Sequence, residues 1–328
     1  MTKTKLLIIG YSSFAKRRLI PSLDKNKNFN YCFCSKSKKI NINDKILYNS
    51  YQEALKKFKP EIVYISLINS LHYSYAKNIL EKGFNVIVDK PITLNIKTAK
   101  KLLKIAIRKK LFLAEATLFN YHRVFSVIKK ICNGFDKVEH IRSDHSYPLK
   151  RSTKAIAKKH GDCEYDMSPY AAAIIRLFMK DSFKNLHANK NYFKNTKLVK
   201  SFYIKKNSNM CTYFGNFSFE REYSQQITFY TKNKIIYSPQ RIFALPHDKN
   251  LEITVKTKNK FKKIKIKKDD CINNFFKLVI SALKNKKYNF FYNNILNDAK
   301  IRNIIKTSWE NENKNILWQR WLWDNKIF

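Results

Sequence analysis

The first part of the chain alternates short apolar runs with amphipathic segments. The apolar runs KLLIIG, NYCFC, EIVYISL, FNVIVD and LFLAEATLF have the length and the β-branched content of buried strands. The segments between them carry apolar residues at helical spacing, and SYQE at 50–53 reads as a capping box for the second of these helices. Repeated strand–helix–strand units predict a doubly wound parallel sheet in an α/β domain over residues 1–119. The predicted helices are Ser13–Lys25, Ser50–Phe58, His72–Lys82 and Asn95–Lys109.

Beyond Phe119 the sequence pattern changes to longer segments in which apolar and polar residues alternate. Successive alternating segments joined by short turns indicate an antiparallel or mixed sheet, and we expect an α+β domain for substrate binding and oligomerisation over residues 120–328. Its closing helices could pack back on the first domain. A polar, basic loop reaching His160 is expected between the first strand and the second helix. The predicted helices are Arg123–Cys132, Ser168–Met179, Asp270–Leu283 and Ile295–Glu310, and the predicted strands are Val138–Ser143, Leu198–Lys205, Cys211–Phe219, Gln225–Thr231, Ile235–Ser238 and Leu251–Lys267.

The chain is strongly basic, with 66 Lys and Arg against 24 Asp and Glu and a net charge of +42. The excess is spread over nearly every segment and accompanies abundant Asn, Ile, Tyr and Phe, a bias that matches the codons of an A+T-rich genome. A nucleic-acid-binding protein would concentrate its charge in one arm or stripe, so no specific nucleic-acid partner is expected. The field still attracts anionic ligands.

Cysteine spacing and hydropathy indicate whether the protein binds a metal and where in the cell it is located. The 6 cysteines form no C-x-x-C pair and the histidines have no ligand spacing, so no metal site is predicted. The apolar run Leu6–Ile9 is too short for a signal peptide, and no later run is long enough for a membrane span. We therefore expect a cytoplasmic protein that does not bind a membrane.

The turn after the first apolar run resembles a dinucleotide-binding loop. The usual pattern is G-x-G-x-x-G/A between a strand and a helix N-terminus, and here it reads G-Y-S-S-F-A, with Ser12 in place of the second glycine. A serine crowds the approach to a pyrophosphate slightly, although its hydroxyl can itself donate to phosphate. The pattern predicts an NAD(P)-binding Rossmann domain. The cofactor-binding candidates in this turn are Gly10, Ser12, Ser13, Phe14 and Ala15.

The end of the second apolar run bears on the choice of cofactor. An NAD site usually has an acid there for the ribose 2′-hydroxyl, but this chain has Ser35, Lys36 and Ser37. Small hydroxyl residues followed by cations suit a 2′-phosphate. NADP(H) is therefore the preferred cofactor, and NAD(H) stays open because lysine is common throughout the chain.

Several motifs in order along the chain resemble the Gfo/Idh/MocA oxidoreductases. They are the G-x-S-x-x-A turn, SLINSLH at 66–72, VDKP at 88–91, EATLFNYH at 115–122 and GDCEYDMSPY at 161–170. The departures are Ser12, Asp89 in place of glutamate, a single Gly161 before the acid, and Arg123 after the histidine. The resemblance implies a two-domain oxidoreductase that acts on sugars or their derivatives and forms a homodimer or homotetramer through its C-terminal sheet.

The chemistry of ketone reduction gives the matched residues their expected roles. Hydride transfer needs an electropositive group at the carbonyl oxygen and a proton for the alkoxide, which suits Lys90 and Tyr170, because an ammonium lowers the pKa of a nearby phenol. Asp166, four residues before Tyr170, would organise both as the third catalytic residue. The remaining candidates are Leu67, Asn69, His72, Asp89, Lys90 and Glu115 for the cofactor, and His122, Asp166 and Tyr170 for the substrate.

A narrower resemblance concerns the substrate. Tyr170, where other members have histidine, and the segment Glu222–Phe243 are similar to members that reduce keto sugar nucleotides or act in surface-polysaccharide pathways. Two alternatives remain open. One is an NAD-linked polyol or inositol-type dehydrogenase, and the other is a non-catalytic, ligand-sensing protein on the same scaffold.

Overall fold

The computed structural model describes residues 3–35, 45–148, 161–179, 185–258 and 260–324, with side chains as far as Ser308. The described residues fall into two compact units, and each has its own sheet. The first unit comprises residues 1–123, 246–249 and 268–296, and the second comprises residues 124–245, 250–267 and 297–328. The helices are α1 Ile20–Lys25, α2 Tyr51–Phe58, α3 His72–Glu81, α4 Ile96–Arg108, α5 Val124–Ile131, α6 Cys163–Phe178, α7 Cys271–Asn285 and α8 Asn289–Asp324.

The first unit contains the predicted parallel sheet. It has six strands in the order β3-β2-β1-β4-β5-β6, and every neighbouring pair is parallel, which confirms the doubly wound fold. The short strand β3 was not predicted, since two residues carry no periodic signal. The strands are β1 Thr4–Ile9, β2 Phe29–Cys34, β3 Leu47–Tyr48, β4 Ile62–Ile65, β5 Asn85–Asp89 and β6 Leu113–Ala116.

One face of this sheet is covered by aromatic side chains of α7. The ring of Phe276 lies 4.9 Å from that of Phe29 in β2 and 6.3 Å from that of Tyr64 in β4. Phe275 and Phe276 are fully buried. This explains why the strands of the first unit read as continuous apolar runs, because strands that are buried on both faces have no polar side to alternate with.

Local signals explain most helix boundaries of the first unit, with one exception. Asn95 accepts a hydrogen bond from the Lys97 amide and so begins α4, and Gly83, at φ +87°, follows the end of α3. The predicted capping box at α2 is wrong. Ser50 donates its hydroxyl to Gln52, whereas Glu53 pairs with Lys57 one turn along the helix.

The second unit contains an eight-stranded mixed sheet in the order β14-β13-β12-β11-β7-β10-β9-β8. Only β7 and β10 pair in parallel and all other neighbours are antiparallel, as the alternating sequence pattern predicted. The strands are β7 Val138–Ser146, β8 Leu186–Tyr192, β9 Val199–Asn207, β10 Thr212–Ser218, β11 Ser224–Thr231, β12 Lys234–Tyr237, β13 Leu251–Thr257 and β14 Lys260–Ile266.

Three features of the second unit differ from the sequence prediction. Strand β8, LHANKNY, was missed because it contains no β-branched residue. The segment 251–267 forms a hairpin rather than one strand, and its turn contains Lys258 at φ +47° instead of the usual glycine. Helix α6 begins at Cys163, five residues before the predicted start, because Asp162 accepts from the Tyr165 amide and Pro169 lies within the helix. The predicted basic loop lies outside the described residues beyond residue 148.

The part of helix α8 that belongs to the second unit, from Asn297 onward, is held there by charged side chains. Arg176 of α6 donates to Asp298 of α8 at 2.6 Å, and both side chains are almost entirely buried. Lys190 of β8 pairs with Glu164 of α6 at 2.6 Å and donates to the Lys306 carbonyl at 3.0 Å. No helix in the described ranges is both long and apolar enough to cross a membrane.

The buried pair of Arg176 and Asp298 gives a stability prediction. Asp298→Asn leaves the guanidinium without its counter-charge, and we expect the free energy of unfolding to fall by about 3 kcal/mol. Glu53→Gln removes the charge from the exposed pair with Lys57 and should change it by less than about 0.5 kcal/mol. Urea denaturation of both variants and of the wild type measures the difference. Equal effects of the two substitutions would contradict a stabilising role for the buried pair.

Candidate active site

Most predicted cofactor-binding residues of the first unit follow the carboxyl ends of its parallel strands. Gly10 follows β1, Ser35 follows β2, Leu67 closely follows β4, and Lys90 follows β5. Because parallel strands end at the same edge of the sheet, these loops lie along one rim. The strand order reverses between β1 and β4, which is the position at which doubly wound sheets bind ligands.

Gly10 occupies a position that only glycine fits. Its φ is +96°, and a Cβ atom at this position would lie 2.2 Å from the carbonyl oxygen of Ser66. Its amide donates to the carbonyl of Cys34 at 2.9 Å. The backbone after β1 is therefore packed directly against the backbone after β4, and the side chain of Leu67 lies beside this contact.

The hydroxyl of Ser12 is engaged inside the protein. Its oxygen accepts from the Ala15 amide at 3.0 Å and lies 2.7 Å from the hydroxyl of Ser66. Ser66 donates its own proton to Asp89 at 2.6 Å, so the proton between the two serines comes from Ser12. In this arrangement the Ser12 proton is used inside the protein, and its donation to a phosphate stays a prediction. Backbone amides at the start of the π-helix Ala15–Leu19, which continues into α1, are the other donors that an anion at this turn could use.

Asp89 is directed into the protein. Asp89 as a whole is half-buried, but its carboxyl group accepts hydrogen bonds from the hydroxyls of Tyr64 and Ser66. Burial raises the pKa of Asp89, and the two donated hydrogen bonds and the nearby charges of His72 and Lys90 oppose that rise. Asp89 thus joins the end of β5 to β4 and, through Ser66, to the turn at Ser12.

His72 and Glu115 fix the loop that follows β5. His72 is fully buried, and its ring nitrogens lie 2.8 Å from the Pro91 carbonyl oxygen and 3.0 Å from that of Leu67. The carboxylate of Glu115, which is buried in β6, accepts from the Ile92 amide at 3.0 Å. Both side chains therefore bind backbone groups and so fix the position of this loop. The peptide bond between Lys90 and Pro91 is cis, and Lys90 itself is half-buried.

His122 lies at the end of the first unit, beside the loop that leads to α7. Its ring is buried, and its Nδ1 atom is 3.9 Å from a carboxylate oxygen of Asp269, which also accepts from the Arg123 amide at 2.7 Å. Burial lowers the pKa of His122, although Asp269 acts in the opposite direction. The ring is thus disfavoured as a cation.

Asp166 and Tyr170 lie one turn apart on α6 in the second unit, beside the end of β7. Tyr147 donates its phenol proton to Asp166 Oδ2 at 2.5 Å. The ring of His145 meets the ring of Tyr170 edge-on at 4.6 Å between centroids. Sequence reasoning missed His145 and Tyr147. Both lie beyond the predicted strand Val138–Ser143, in the segment expected to be a loop, whereas β7 continues to Ser146. Their spacing of two, which puts both on one face of an extended segment, was the only signal.

The remaining predicted positions lie in different parts of the chain. The amide of Ser35 donates to the Tyr48 carbonyl at 3.1 Å, whereas Lys36 and Ser37 lie outside the described residues. Asn69 begins a short 3₁₀ turn after β4. Lys90 belongs to the first unit, and Asp166 and Tyr170 belong to the second. Within the described ranges no group of three or more His, Cys, Asp or Glu side chains is arranged to hold a metal ion.

Residues 4–117 match the family described as "Oxidoreductase family, NAD-binding Rossmann fold" (GFO_IDH_MocA). Among curated proteins, the chain is 26% identical over 116 residues to a trans-1,2-dihydrobenzene-1,2-diol dehydrogenase of Xenopus laevis, which is 35% of either chain. It is 34% identical over 84 residues, 26% of this chain and 22% of the relative, to a D-xylose 1-dehydrogenase (NADP(+)) of Hypocrea jecorina. The chain thus matches about a third or less of the length of these curated relatives.

The likeness to solved structures extends over nearly the whole chain. KijD10, a 3-ketoreductase from Actinomadura kijaniata solved with NADP and TDP-benzene, superposes with a TM-score of 0.85 over 94% of this chain and 98% of its own, at 17% identity. The putative oxidoreductase yvaA from Bacillus subtilis superposes with a TM-score of 0.74 over 95% of this chain and 97% of its own, at 14% identity. At these identities the likeness establishes the two-domain fold.

The crowding at Gly10 gives a prediction with a matched control. Gly10→Ala forces a methyl group against the Ser66 carbonyl, so we expect a loss of about 3 kcal/mol in the free energy of unfolding and loss of nicotinamide nucleotide binding. Gly83 has φ +87° but open space around it, so Gly83→Ala should cost about 1 kcal/mol and leave binding intact. Urea denaturation and a fluorescence titration with NADPH measure both. Similar behaviour of the two variants would show that the close approach is unimportant.

Proposed function

We propose that this chain, whose residues 4–117 match the Gfo/Idh/MocA oxidoreductase family, is an NADP(H)-linked oxidoreductase that reduces keto groups of sugars or sugar nucleotides. The observation that carries the proposal is the position of Lys90. It follows the carboxyl end of β5, on the same rim as the Gly10 turn, and Asp89, His72 and Glu115 fix its loop on three sides. A cation held so firmly at a nucleotide-binding rim is suited to act on a reacting group.

The first unit fits a nicotinamide dinucleotide. Gly10 presents backbone without a side chain, and the first amides of the following helix are available to a pyrophosphate. Ser35 and Leu67 follow neighbouring strands on the same rim, where the two halves of a dinucleotide would lie. When bound, the cofactor supplies the hydride.

Three side chains of this chain would handle the oxygen of the reacting carbon. The ammonium of Lys90 would bind the carbonyl oxygen and stabilise the charge that develops there. The phenol of Tyr170 would give its proton to that oxygen in reduction and take it back in oxidation. Asp166, whose Oδ2 accepts a hydrogen bond from Tyr147, would orient a hydroxyl of the substrate and organise the part of the site next to Tyr170.

The relatives support a substrate of this class. The curated relatives that match part of the chain are dehydrogenases of a diol and of a sugar, and KijD10 is a ketoreductase solved with a nucleotide ligand. The net charge of +42 would help to draw in a substrate that carries a diphosphate. A role in carbohydrate or surface-polysaccharide synthesis, a cytoplasmic location and a homodimer or homotetramer accompany this proposal as predictions.

The cofactor preference can be tested by binding alone. No acid follows β2 at residues 35–37, so we expect NADPH to bind about tenfold more tightly than NADH, a difference of about 1.4 kcal/mol. Lys36→Ala should weaken NADPH binding and leave NADH binding unchanged, which makes each nucleotide the control for the other. Fluorescence titration of the purified protein measures both constants. Tighter binding of NADH would favour the NAD-linked polyol dehydrogenase instead.

The catalytic proposal is tested with a panel of keto sugar nucleotides and keto sugars, with NADPH oxidation as the readout. On a substrate that turns over, Lys90→Ala should lower kcat at least about 100-fold and Tyr170→Phe about 10- to 100-fold, because each loses a group that acts on the oxygen. Lys100→Ala, at an exposed position of α4, is the matched control and should keep the wild-type rate. Wild-type turnover by Lys90→Ala would refute the mechanism, and NADPH binding without turnover of any substrate would favour a sensor.

A further inference from the structure

We propose that Tyr147 is a positioning residue for Asp166, which it keeps ionised and oriented in the active site. The inference rests on the proposed function for its catalytic consequence, but its geometry belongs to the second unit alone. Neither Tyr147 nor its strand neighbour His145 belongs to the motifs that carry the family resemblance.

The backbone and the ring of Tyr147 are held by contacts of their own, separate from the hydrogen bond of its phenol to the carboxylate. Its backbone amide donates to the Ser218 carbonyl at 3.1 Å, which extends the pairing of β7 with β10 by one residue. Its ring lies 5.1 Å from the ring of Phe219. The hydroxyl then reaches Asp166 Oδ2 at 2.5 Å, so the hydrogen bond is made by a side chain anchored at both its backbone and its ring.

Tyr147 acts in this pair as a donor. Burial raises the pKa of Tyr147, and the adjacent carboxylate of Asp166 raises it further, so the phenol is the donor in this hydrogen bond. A hydrogen bond donated to a carboxylate stabilises the charged form of the acid. Tyr147 therefore resists protonation of Asp166 and fixes which of its oxygens faces β7.

Two residues at the end of β7 and just after it each contact one residue of α6. His145 and Tyr147 are two apart on one face of an extended segment, and Tyr170 and Asp166 are four apart on one face of the helix. His145 contacts Tyr170 at 4.6 Å between ring centroids, and Tyr147 contacts Asp166. Phe243 closes the group, since its ring lies 4.7 Å from His145 and 4.9 Å from Tyr170.

Three titratable residues close to Asp166 in sequence have partners of their own or stay neutral. Asp162 accepts from the amides of Tyr165 and Val199, and Glu164 pairs with Lys190. Burial raises the pKa of the Cys163 thiol well above its usual range, so that it stays protonated.

The experiment compares Tyr147→Phe with Tyr213→Phe. Tyr213 is buried in β10, and its hydroxyl bonds to Ser143 of β7 at 2.8 Å. Each variant therefore loses one phenol hydrogen bond, which joins Tyr147 to a helix residue and Tyr213 to a neighbouring strand. In Tyr147→Phe we expect kcat to fall about tenfold, the KM for NADPH to stay unchanged and the acid limb of the kcat–pH profile to move up by about one unit. Tyr213→Phe should leave the limb where it is in the wild type.

A second measurement needs no substrate. With ¹³C-carboxyl-labelled aspartate, the Asp166 signal is assigned by its loss in Asp166→Asn, and its titration midpoint should rise in Tyr147→Phe and stay unchanged in Tyr213→Phe. An unchanged midpoint would overturn the positioning role even if the enzyme is active. A raised midpoint in a protein that turns over no keto sugar would support Tyr147 and refute the proposed function.

Discussion

The close approach of two backbone segments at Gly10 and Ser66 is the constraint on which the rest of the first unit depends. It brings the end of β1 against the end of β4, so that a Cβ atom on residue 10 would collide with a carbonyl oxygen at 2.2 Å. The approach also brings the hydroxyls of Ser12 and Ser66 together at 2.7 Å. A turn that leaves helix amides exposed to an anion is therefore held by backbone packing and by a serine pair.

The pair of Ser12 and Ser66 also connects this turn to the loop that contains Lys90. Ser66 donates to Asp89, which ends β5, and Lys90 follows immediately. Ser12 and Asp89, two of the departures from the family pattern, are thus joined through Ser66.

The pattern of apolar residues was sufficient to predict the first sheet and the rim positions of Gly10 and Lys90, because buried parallel strands carry a strong signal and loops follow their ends. It could not show where the polar side chains point. Asp89 and His72 were predicted to bind cofactor, and the structure directs both toward neighbouring hydroxyls or backbone carbonyls. Such contacts join segments that are far apart in sequence, and no local periodicity encodes them. Strand β8 was missed for a related reason, since its pairing with β9 compensates for its weak strand propensity.

The two units stabilise their functional groups by different means. In the first, the loop that contains Lys90 is fixed by hydrogen bonds between polar side chains and the backbone. In the second, Tyr170 packs against the rings of His145 and Phe243, and Asp166 accepts a hydrogen bond from the phenol of Tyr147. A hydrogen bond donated to a carboxylate stabilises its charged form. A substitution of Tyr147, which follows β7, should therefore change protonation, whereas one at the Gly10 rim should change binding.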